Sequence, residues 1–573
     1  MLNHNNKLFE SSSAWRRLDV LSASVCINLL ALAMPIIVLQ VYDRILPNQS
    51  YDTLSVFVIV LIGVAILDGL LSFSRTYILS RAGAKYEYKL NIAAMKAVMD
   101  SNLAAFDSDS HGVHLERFQG IEAVRDFYYG SAMLLVVEIP FVFLFLGLIW
   151  QFSGYMVLIP VSIITVFFII SYIAGSILRT AIKMKSDHYE RRQNFLIECL
   201  QGMHTIKALA MESQMLRRYE RLQTSSASSV FELSRINCVV HGLATTFSQA
   251  VMVSFVSIGS IFVVNNELSI GALAAGTMLA GRVLQPALRA LSFWTYRQSV
   301  DEKQCKLEKT LSLRTEEFEE ETKSIKLKGK IELRNIKFRY NDNVPTLLKD
   351  INLVIPEGES ISIRGANGSG KSTLLNLIMG FITPTEGQVL LDDVDIHKLD
   401  RSSVRSQIGL IPQQGVLFNG TLLENMTLYR EGEPVSDSIR LARKLGLDNT
   451  ILRLKNGLDT MANNDLSQAI PHGFAQRLVT VRALVGDLSI VLFDDANLGF
   501  DDRNDQYLHD LLVELRKDHT LIVVSHRPSL QRICNHHYEI KDGRLVVTSS
   551  AFQMKRQIEE SRTNELKLVP AGA

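Results

Sequence analysis

The chain has 573 residues, a net charge of +1, and 21% charged residues against 47% hydrophobic ones. A length of this order exceeds what a single core supports, so two or more domains are expected. The near-neutral charge gives no sign of nucleic-acid binding, which needs a basic surface. The positive mean hydropathy of +0.14 instead favours a chain with a membrane part.

Six stretches are candidates for membrane helices, each of which needs roughly 20 apolar residues. They lie near residues 20–42, 54–74, 132–151, 155–178, 239–264 and 270–294. The two long links, residues 75–131 and 179–238, have a helical pattern and are rich in Lys and Arg. The basic residues predict that these links and both termini face the cytoplasm. Residues 1–300 are therefore predicted to form an all-α, six-helix membrane domain.

Three ionisable residues fall inside the predicted spans, namely Asp68, Glu138 and Arg282. Such residues usually face the helix bundle or a wet cavity. They indicate either a substrate path or, as the simpler alternative, interfacial positions or an internal ion pair. The scattered cysteines show no CxxC or Cys/His pattern, so we interpret them as reduced and free of metal.

After the membrane domain the pattern changes twice. Residues 301–328 are charged and read as a solvated linker, and residues 329–560 alternate strand-like and helical runs, which is typical of an α/β domain. The last residues, 561–573, form a polar tail.

The segment Gly365-Ala-Asn-Gly-Ser-Gly-Lys-Ser372 fits the phosphate-loop pattern G-x-x-x-x-G-K-[ST]. It follows an apolar strand and opens a helical run, which is the context that such a loop needs. Backbone N–H groups, the helix N-terminus and a lysine charge would together bind phosphate. The predicted nucleotide contacts are Gly365, Asn367, Gly368, Ser369, Gly370, Lys371, Ser372 and Thr373.

A buried strand ends in two carboxylates, Asp494 and Asp495, downstream of this loop. A carboxylate in this place holds Mg²⁺ opposite the phosphate loop, and a Ser hydroxyl provides a second ligand. We therefore predict Asp494 and Ser372 as magnesium ligands, with ATP as the nucleotide.

The order of motifs from Tyr340 to His526 resembles the nucleotide-binding domain of ABC transporters. The resemblance implies that Tyr340 stacks on adenine and that Gln413 contacts both Mg²⁺ and the attacking water. It also implies that Asp501 belongs to a dimer-contact loop and that His526 senses the γ-phosphate. A P-loop ABC domain following a six-helix exporter domain is the fold class that results.

The membrane part resembles type I secretion ATPases in three segments: residues 38–47 (VLQVYDRILP), 138–140 (EIP) and 271–286, which ends in AGRVLQP. This resemblance implies export of an unfolded polypeptide across the bacterial inner membrane, with the ABC domain in the cytoplasm. It also implies a membrane-fusion protein and an outer-membrane channel as partners, besides membrane lipid.

The chain departs from the family pattern at two places in the nucleotide site. The family has a glutamate that polarises the attacking water where this chain has Asp495, whose arm is one methylene shorter. The family signature, Leu-Ser-Gly-Gly-Gln, is replaced by Ile-Pro-His-Gly-Phe at residues 470–474, so that only Gly473 remains. Proline supplies neither a hydroxyl nor an N–H group to cap a phosphate.

The resemblance and these departures together lead to two predictions about function. Asp495, His526 and Gln413 are the catalytic residues of an ATPase whose hydrolysis is impaired, and a heterodimer with a related half-transporter is favoured over a homodimer. The alternatives are a regulatory nucleotide-binding half with little or no hydrolysis, or an exporter of lipid, peptide or a small thiol.

Overall fold

The computed structural model describes residues 18–107, 109–130, 134–313, 324–341, 344–462, 472–497 and 500–550. They form two compact units, which take in most of residues 18–313 and most of residues 324–550. The first is helical, and the second combines strands with helices. The predicted fold class, a helical membrane domain followed by an α/β domain, is confirmed.

Long helices make up most of the chain before residue 312, and short helices and turns connect several of them. A π-helical turn, Val41–Ile45, joins α2 to α3, and a 3₁₀ turn, Gly154–Val157, joins α7 to α8. The helices are α1 (Leu18–Leu30), α2 (Ala33–Gln40), α3 (Leu46–Asn48), α4 (Tyr51–Met99), α5 (Leu103–Asp107), α6 (His111–Tyr129), α7 (Leu134–Ser153), α8 (Leu158–Gln201), α9 (Met203–Ala208), α10 (Glu212–Val264) and α11 (Ile270–Leu311).

Four helical stretches of the described residues are apolar and long enough to cross a membrane, at Leu18–Asn48, Tyr51–Met99, Val137–Ile170 and Glu212–Val264. They contain all or most of the first five predicted spans, since Val137–Ile170 holds parts of two. The sixth predicted span lies on α11, which is helical but outside this set. That part of α11 carries Arg282 and Arg289, whose charges lower its hydropathy.

Several helices are much longer than a bilayer is thick. At about 1.5 Å per residue, the 49 residues of α4 extend roughly 75 Å, compared with about 30 Å for the hydrocarbon core. The predicted long links are thus helical, as their pattern indicated. One boundary differs from the prediction, because α11 continues to Leu311, so residues 301–311 are helix and not linker.

The membrane unit has a core where α7, α10 and α11 meet. Phe145 and Ile149 of α7, Val251 and Phe255 of α10, and Leu279 of α11 are buried there. In contrast, no residue in the apolar window of α4 is buried, as expected of a surface that contacts lipid.

The described residues of the second unit form ten strands and several shorter helices. The strands are β1 (Ile331–Phe338), β2 (Leu348–Ile355), β3 (Ser360–Gly365), β4 (Glu386–Leu391), β5 (Val394–Asp395), β6 (Ile408–Ile411), β7 (Ile490–Asp494), β8 (Thr520–Val524), β9 (His536–Lys541) and β10 (Arg544–Ser550). The helices are α12 (Lys371–Ile378), α13 (Arg401–Arg405), α14 (Leu422–Thr427), α15 (Glu433–Lys444), α16 (Asp448–Ile451), α17 (His472–Leu484), α18 (Asp502–Leu515) and α19 (Pro528–Gln531).

The strands form two sheets that differ in type. The smaller sheet is antiparallel, in the order β2-β1-β4-β5, and the larger has the order β10-β9-β3-β8-β7-β6. In the larger sheet, the strands from β9 to β6 are parallel. Because parallel strands end at the same edge, the segments that follow β3, β8, β7 and β6 are neighbours there. Ligands of open α/β sheets bind at such an edge.

Candidate nucleotide site

The phosphate loop follows β3, which ends at Gly365, and leads into α12. Asn367 and Gly368 form its turn, and Gly370 has a φ of 102°, a conformation that favours glycine. A Cβ atom at Gly370 would lie only 2.8 Å from Cδ2 of Leu348. A side chain is therefore excluded on grounds of both space and backbone conformation.

Two polar side chains of the loop suit a phosphate ligand. Lys371 is 8% exposed, and its Nζ donates hydrogen bonds to the carbonyls of Gly365 (2.8 Å) and Ala366 (3.1 Å). The hydroxyl of Ser369 is buried and has no hydrogen-bond partner among the described residues. An ammonium group and an unpaired hydroxyl beside a helix N-terminus fit the anionic phosphates of ATP.

The predicted aromatic contact lies next to α12. The hydroxyl groups of Tyr340 and Thr373 are 2.9 Å apart, and Phe338 packs edge-on against the Tyr340 ring at 5.0 Å. Tyr340 is 61% exposed. The ring is thus fixed at its hydroxyl end while much of its surface remains open to a stacking partner.

Asp494, the last residue of β7, lies beside the start of α12. Ser372 donates a hydrogen bond to its carboxylate, so the two predicted magnesium ligands are in contact. Burial raises the pKa of Asp494 above its usual value; the Ser372 hydrogen bond lowers it, the charge of Asp495 raises it, and Lys371 lowers it. A half-buried carboxylate and a hydroxyl are oxygen ligands of the kind that Mg²⁺ prefers.

Asp495 and His526 are brought together at the adjacent strand ends. The backbone N–H of His526 donates to Asp495 Oδ1 at 3.2 Å, and His526 Nε2 lies 3.6 Å from Asp495 Oδ2. The Asp495 N–H donates to the Val524 carbonyl at 2.9 Å, and Asp495 has a φ of 42°. Its carboxylate is therefore turned towards the loop that follows β8.

Gln413 lies just beyond β6 and is exposed. Since Ile411 is opposite Phe493 in the parallel register of β6 and β7, Gln413 follows β6 at the edge where Asp494 and Asp495 end β7. The structure thus places the predicted Gln413 at the same end of the sheet as the carboxylates.

A neighbouring glutamine that we did not predict supports this segment. Gln476, on α17, donates from Nε2 to the Pro412 carbonyl at 2.7 Å and accepts from the Gly415 N–H at 3.3 Å. Its side chain connects α17 to the loop of Gln413.

The altered signature is only partly described. Residues 470 and 471 lie outside the described residues, as do residues 466–468. Helix α17 begins at His472, the Gly473 carbonyl accepts a hydrogen bond from Arg477 Nε at 3.1 Å, and Phe474 is 2% exposed. Phe474, where the family has a glutamine, thus serves the hydrophobic core.

The predicted dimer-contact residue has a structural role within the chain. Asp501 caps α18 by accepting a hydrogen bond from the Asn504 N–H at 2.8 Å. Nearby, Asp505 accepts from Asn497 Nδ2 and pairs with Arg527, both at 2.9 Å. We did not predict this network, which links the segment after β7 to the segment after His526.

Comparison with known proteins assigns both units. The model of the ABC transporter transmembrane region matches residues 20–288, and that of the ABC transporter matches residues 348–497. The chain is an ABC transporter. Because the second match covers the phosphate loop and both terminal carboxylates of β7, the site of this transporter binds ATP.

Curated proteins are similar to this transporter over almost its whole length. The toxin RTX-I translocation ATP-binding protein of Actinobacillus pleuropneumoniae is 29% identical over 529 residues, which are 92% of this chain and 75% of that protein. The leukotoxin translocation ATP-binding protein LktB of Mannheimia haemolytica matches with the same identity and coverage. The transporter is thus homologous to type I secretion ATPases.

A solved structure supports the fold. A bacterial Atm1-family ABC exporter with ATP bound superimposes with a TM-score of 0.85, covering 97% of this chain and 99% of that chain. At 18% identity this similarity concerns architecture alone. The transporter therefore has the exporter fold, and its membrane region makes it a multi-pass membrane protein.

Proposed function

We propose that this chain is one half of a type I protein exporter of the bacterial inner membrane, powered by ATP in the cytoplasm. The observation that carries the proposal is the grouping of Lys371, Asp494, Asp495 and His526 at the ends of adjacent parallel strands. Its relatives, toxin translocation proteins at 29% identity, support a polypeptide cargo. A membrane-fusion protein and an outer-membrane channel would complete the pathway.

Each part of the site has a distinct task in ATP hydrolysis. Lys371 and the loop N–H groups hold the phosphates, and the exposed ring of Tyr340 stacks on adenine. Ser372, Asp494 and Gln413 would hold Mg²⁺, which would supply positive charge next to the phosphates. Asp495 accepts a proton from the water that attacks the γ-phosphorus, while the bond to the bridging oxygen breaks and ADP leaves.

We expect the hydrolysis of ATP at this site to be slow. The Asp495 carboxylate is one methylene shorter than the family glutamate and is directed at the His526 backbone, 3.2 Å away. A general base acts only within hydrogen-bond distance of the proton that it removes. A carboxylate kept back by its length and by this contact reaches the water poorly.

The altered signature argues for a heterodimer. In the family, the signature of one half caps the γ-phosphate that the other half holds. Residues 470–474, Ile-Pro-His-Gly-Phe, lack the hydroxyl and the first glycine of that cap. In a homodimer both sites would have this defect together with the short Asp495 arm. A partner half with the standard signature would supply a complete cap over the nucleotide of this chain.

The test is uptake of an unfolded polypeptide into inverted vesicles that contain this chain and its partner. Lys371→Ala should abolish ATP binding at this site and reduce export, because Lys371 is the only positively charged residue in the loop segment 365–372. Lys349→Ala, at an exposed position of β2, is the matched control and should change neither. Persistence of both ATP binding and export in Lys371→Ala would refute the proposal.

A regulatory half that binds ATP without hydrolysing it is the second candidate. It is favoured by the same contact between Asp495 and the His526 backbone, because a carboxylate occupied in this way is not free for water. Unchanged ATPase turnover of the heterodimer carrying Asp495→Asn would select this alternative. Export of a lipid, a peptide or a small thiol is the third candidate. Transport of such a compound into the same vesicles would reveal it.

A further inference from the structure

A cavity of about 530 Å³ lies among α1, α4, α7 and α11 in the membrane unit. Its volume falls within the roughly 300–1,000 Å³ of typical ligand sites. The lining is largely aliphatic, but five ionisable side chains reach it: Asp68, Arg75, Glu138, Arg282 and Arg289. Charged groups at membrane depth are costly, and their presence usually marks a functional position.

One ion pair uses only some of the hydrogen-bonding atoms of these five side chains. Arg289 donates a hydrogen bond from Nη1 to Glu138 Oε1. The other carboxylate oxygen, Oε2, is buried and accepts no hydrogen bond from the described residues, and Glu138 is only 9% exposed. The Nε of Arg75 is also buried without a partner among those residues. A buried polar atom without a partner costs free energy, so the cavity has both a donor and an acceptor to offer.

The lining also has an excess of positive charge. Arg289 balances Glu138, and Asp68 lies within electrostatic range of Arg75. Arg282 then remains, exposed and without an ion pair among the described side chains. It precedes Arg289 by two helical turns, or roughly 10 Å, on α11. The unmatched guanidinium favours an anionic group, and the free oxygen of Glu138 favours an N–H donor close to it.

A polypeptide segment with acidic side chains offers both kinds of group. Its carboxylates are acceptors for guanidinium groups, and its backbone supplies N–H donors a few ångströms away. The phosphate of an anionic lipid offers acceptors alone, so a donor to Glu138 Oε2 would have to come from the rest of the head group, which has no N–H group in phosphatidylglycerol. The geometry points to a binding site for an acidic segment of the exported polypeptide, with a carboxylate on Arg282 and a backbone N–H on Glu138 Oε2. This inference rests on the proposed export of a polypeptide.

The inference is tested by direct binding to the full-length transporter, purified with its partner half in detergent. The probes are two fluorescent, unstructured peptides that differ only in having Asp and Glu or, instead, Asn and Gln. The acidic peptide should bind at least about tenfold more tightly, as a charge-assisted hydrogen bond implies. Arg282→Gln should remove the preference. The control Arg297→Gln, on the same helix but outside the cavity, should retain it.

Two further variants separate charge recognition from damage to the fold. Arg282→Lys keeps the positive charge and should retain most of the preference, although a lysine lacks the planar fork. Glu138→Gln keeps an acceptor oxygen and should weaken both peptides to a similar extent. Equal binding of the two peptides, no binding of either, or an unaffected preference in Arg282→Gln would overturn the site.

Competition and transport complete the test. Displacement of the acidic peptide by micelles of phosphatidylglycerol, but not of phosphatidylcholine, would overturn the inference by identifying a lipid site. Equal vesicle uptake of both peptides together with equal binding would overturn the site and leave polypeptide export intact. An acidic preference in binding without uptake of either peptide would uphold the site and contradict the export function.

Discussion

Lengthening the carboxylate of Asp495 tests whether its reach limits hydrolysis. Asp495→Glu adds one carbon–carbon bond of about 1.5 Å, which is about half of a hydrogen-bond distance. General-base catalysis is worth roughly 10²- to 10⁴-fold in rate, and each tenfold corresponds to about 1.4 kcal/mol. If the shorter arm of Asp495 loses half of this catalytic contribution, counted in free energy, hydrolysis is slower by about tenfold to a hundredfold. Asp495→Glu should then raise kcat at this site by the same factor.

The backbone at this position predicts a cost in stability. Asp495 has a φ of 42°, and left-handed conformations are better tolerated by Asp than by Glu. Asp495→Glu should therefore lower the free energy of unfolding by about 1 kcal/mol. Asp495→Asn keeps the size of the side chain and an acceptor for the His526 N–H, so it should leave stability nearly unchanged while it reduces kcat.

The assay is ATPase turnover of the reconstituted pair, with the catalytic carboxylate of the partner neutralised so that this site alone is measured. Asp510→Asn, on the exposed face of α18, is the control for loss of a carboxylate. Turnover that does not increase in Asp495→Glu, with ATP binding intact, would refute the argument from reach. Turnover that does not fall in Asp495→Asn would show that Asp495 is not the base.

The remaining predictions concern the loop, the magnesium ligand and the membrane ion pair. Gly370→Ala should weaken ATP binding and destabilise the chain by about 1–3 kcal/mol, since its Cβ would lie 2.8 Å from Leu348 Cδ2. Isothermal titration calorimetry measures the binding, and thermal unfolding measures the stability. Asp494→Asn should abolish Mg²⁺-dependent hydrolysis yet raise the Tm of the nucleotide-free protein near pH 7, because the raised pKa of the folded carboxyl makes its charged form costly. That gain in Tm should shrink as pH falls through the folded pKa, and a gain that grows on acidification would contradict the assignment. Arg289→Ala should lower the Tm because it leaves Glu138 buried without its ion-pair partner. The double variant Arg289→Ala, Glu138→Leu should recover much of the lost Tm. Equal Tm values for the single and double variants would argue against the ion pair.

The nucleotide site was predictable wherever a residue type carries its chemistry in a fixed local pattern. Gly370, Lys371 and Ser372 belong to one continuous loop, so spacing alone predicted their role. Asp494 was predictable because a buried strand that ends in a carboxylate follows the loop. Their contact through Ser372 required only that β3 and β7 belong to the same parallel sheet.

The supporting contacts could not be predicted, because they join residues far apart in sequence without a local pattern. Gln476 bonds to Pro412, 64 residues away, and Arg527, after β8, pairs with Asp505 on α18. Nothing in either segment alone predicts the other. For the same reason Arg289 was not singled out, although its partner Glu138, 151 residues away, was recognised as ionisable within a span.

The membrane boundaries show a different limit. Among the described residues, the stretches apolar enough to cross a membrane contain all or most of the first five predicted spans, whereas the sixth, on α11, carries two arginines and is not one of them. Its charged face lines the cavity, so a helix that serves a wet interior is less apolar than one that faces lipid. The end of α11 was placed too early for a related reason, since charged helix and charged linker have similar compositions.

The two departures from the family pattern act on different halves of an ATP site, and this has a consequence for the dimer. Asp495 affects the site where this chain holds the phosphates, whereas residues 470–474 affect the site where the partner holds them. A standard partner would therefore give one site with a slow base and a good cap, and another with a good base and a poor cap. Neither site would be fully intact. With two partly impaired sites, both bound ATP molecules should be hydrolysed, although slowly. With one inactive site, hydrolysis would stop after half of the bound ATP. Single-turnover hydrolysis of the closed heterodimer, counted per bound nucleotide, distinguishes the two arrangements.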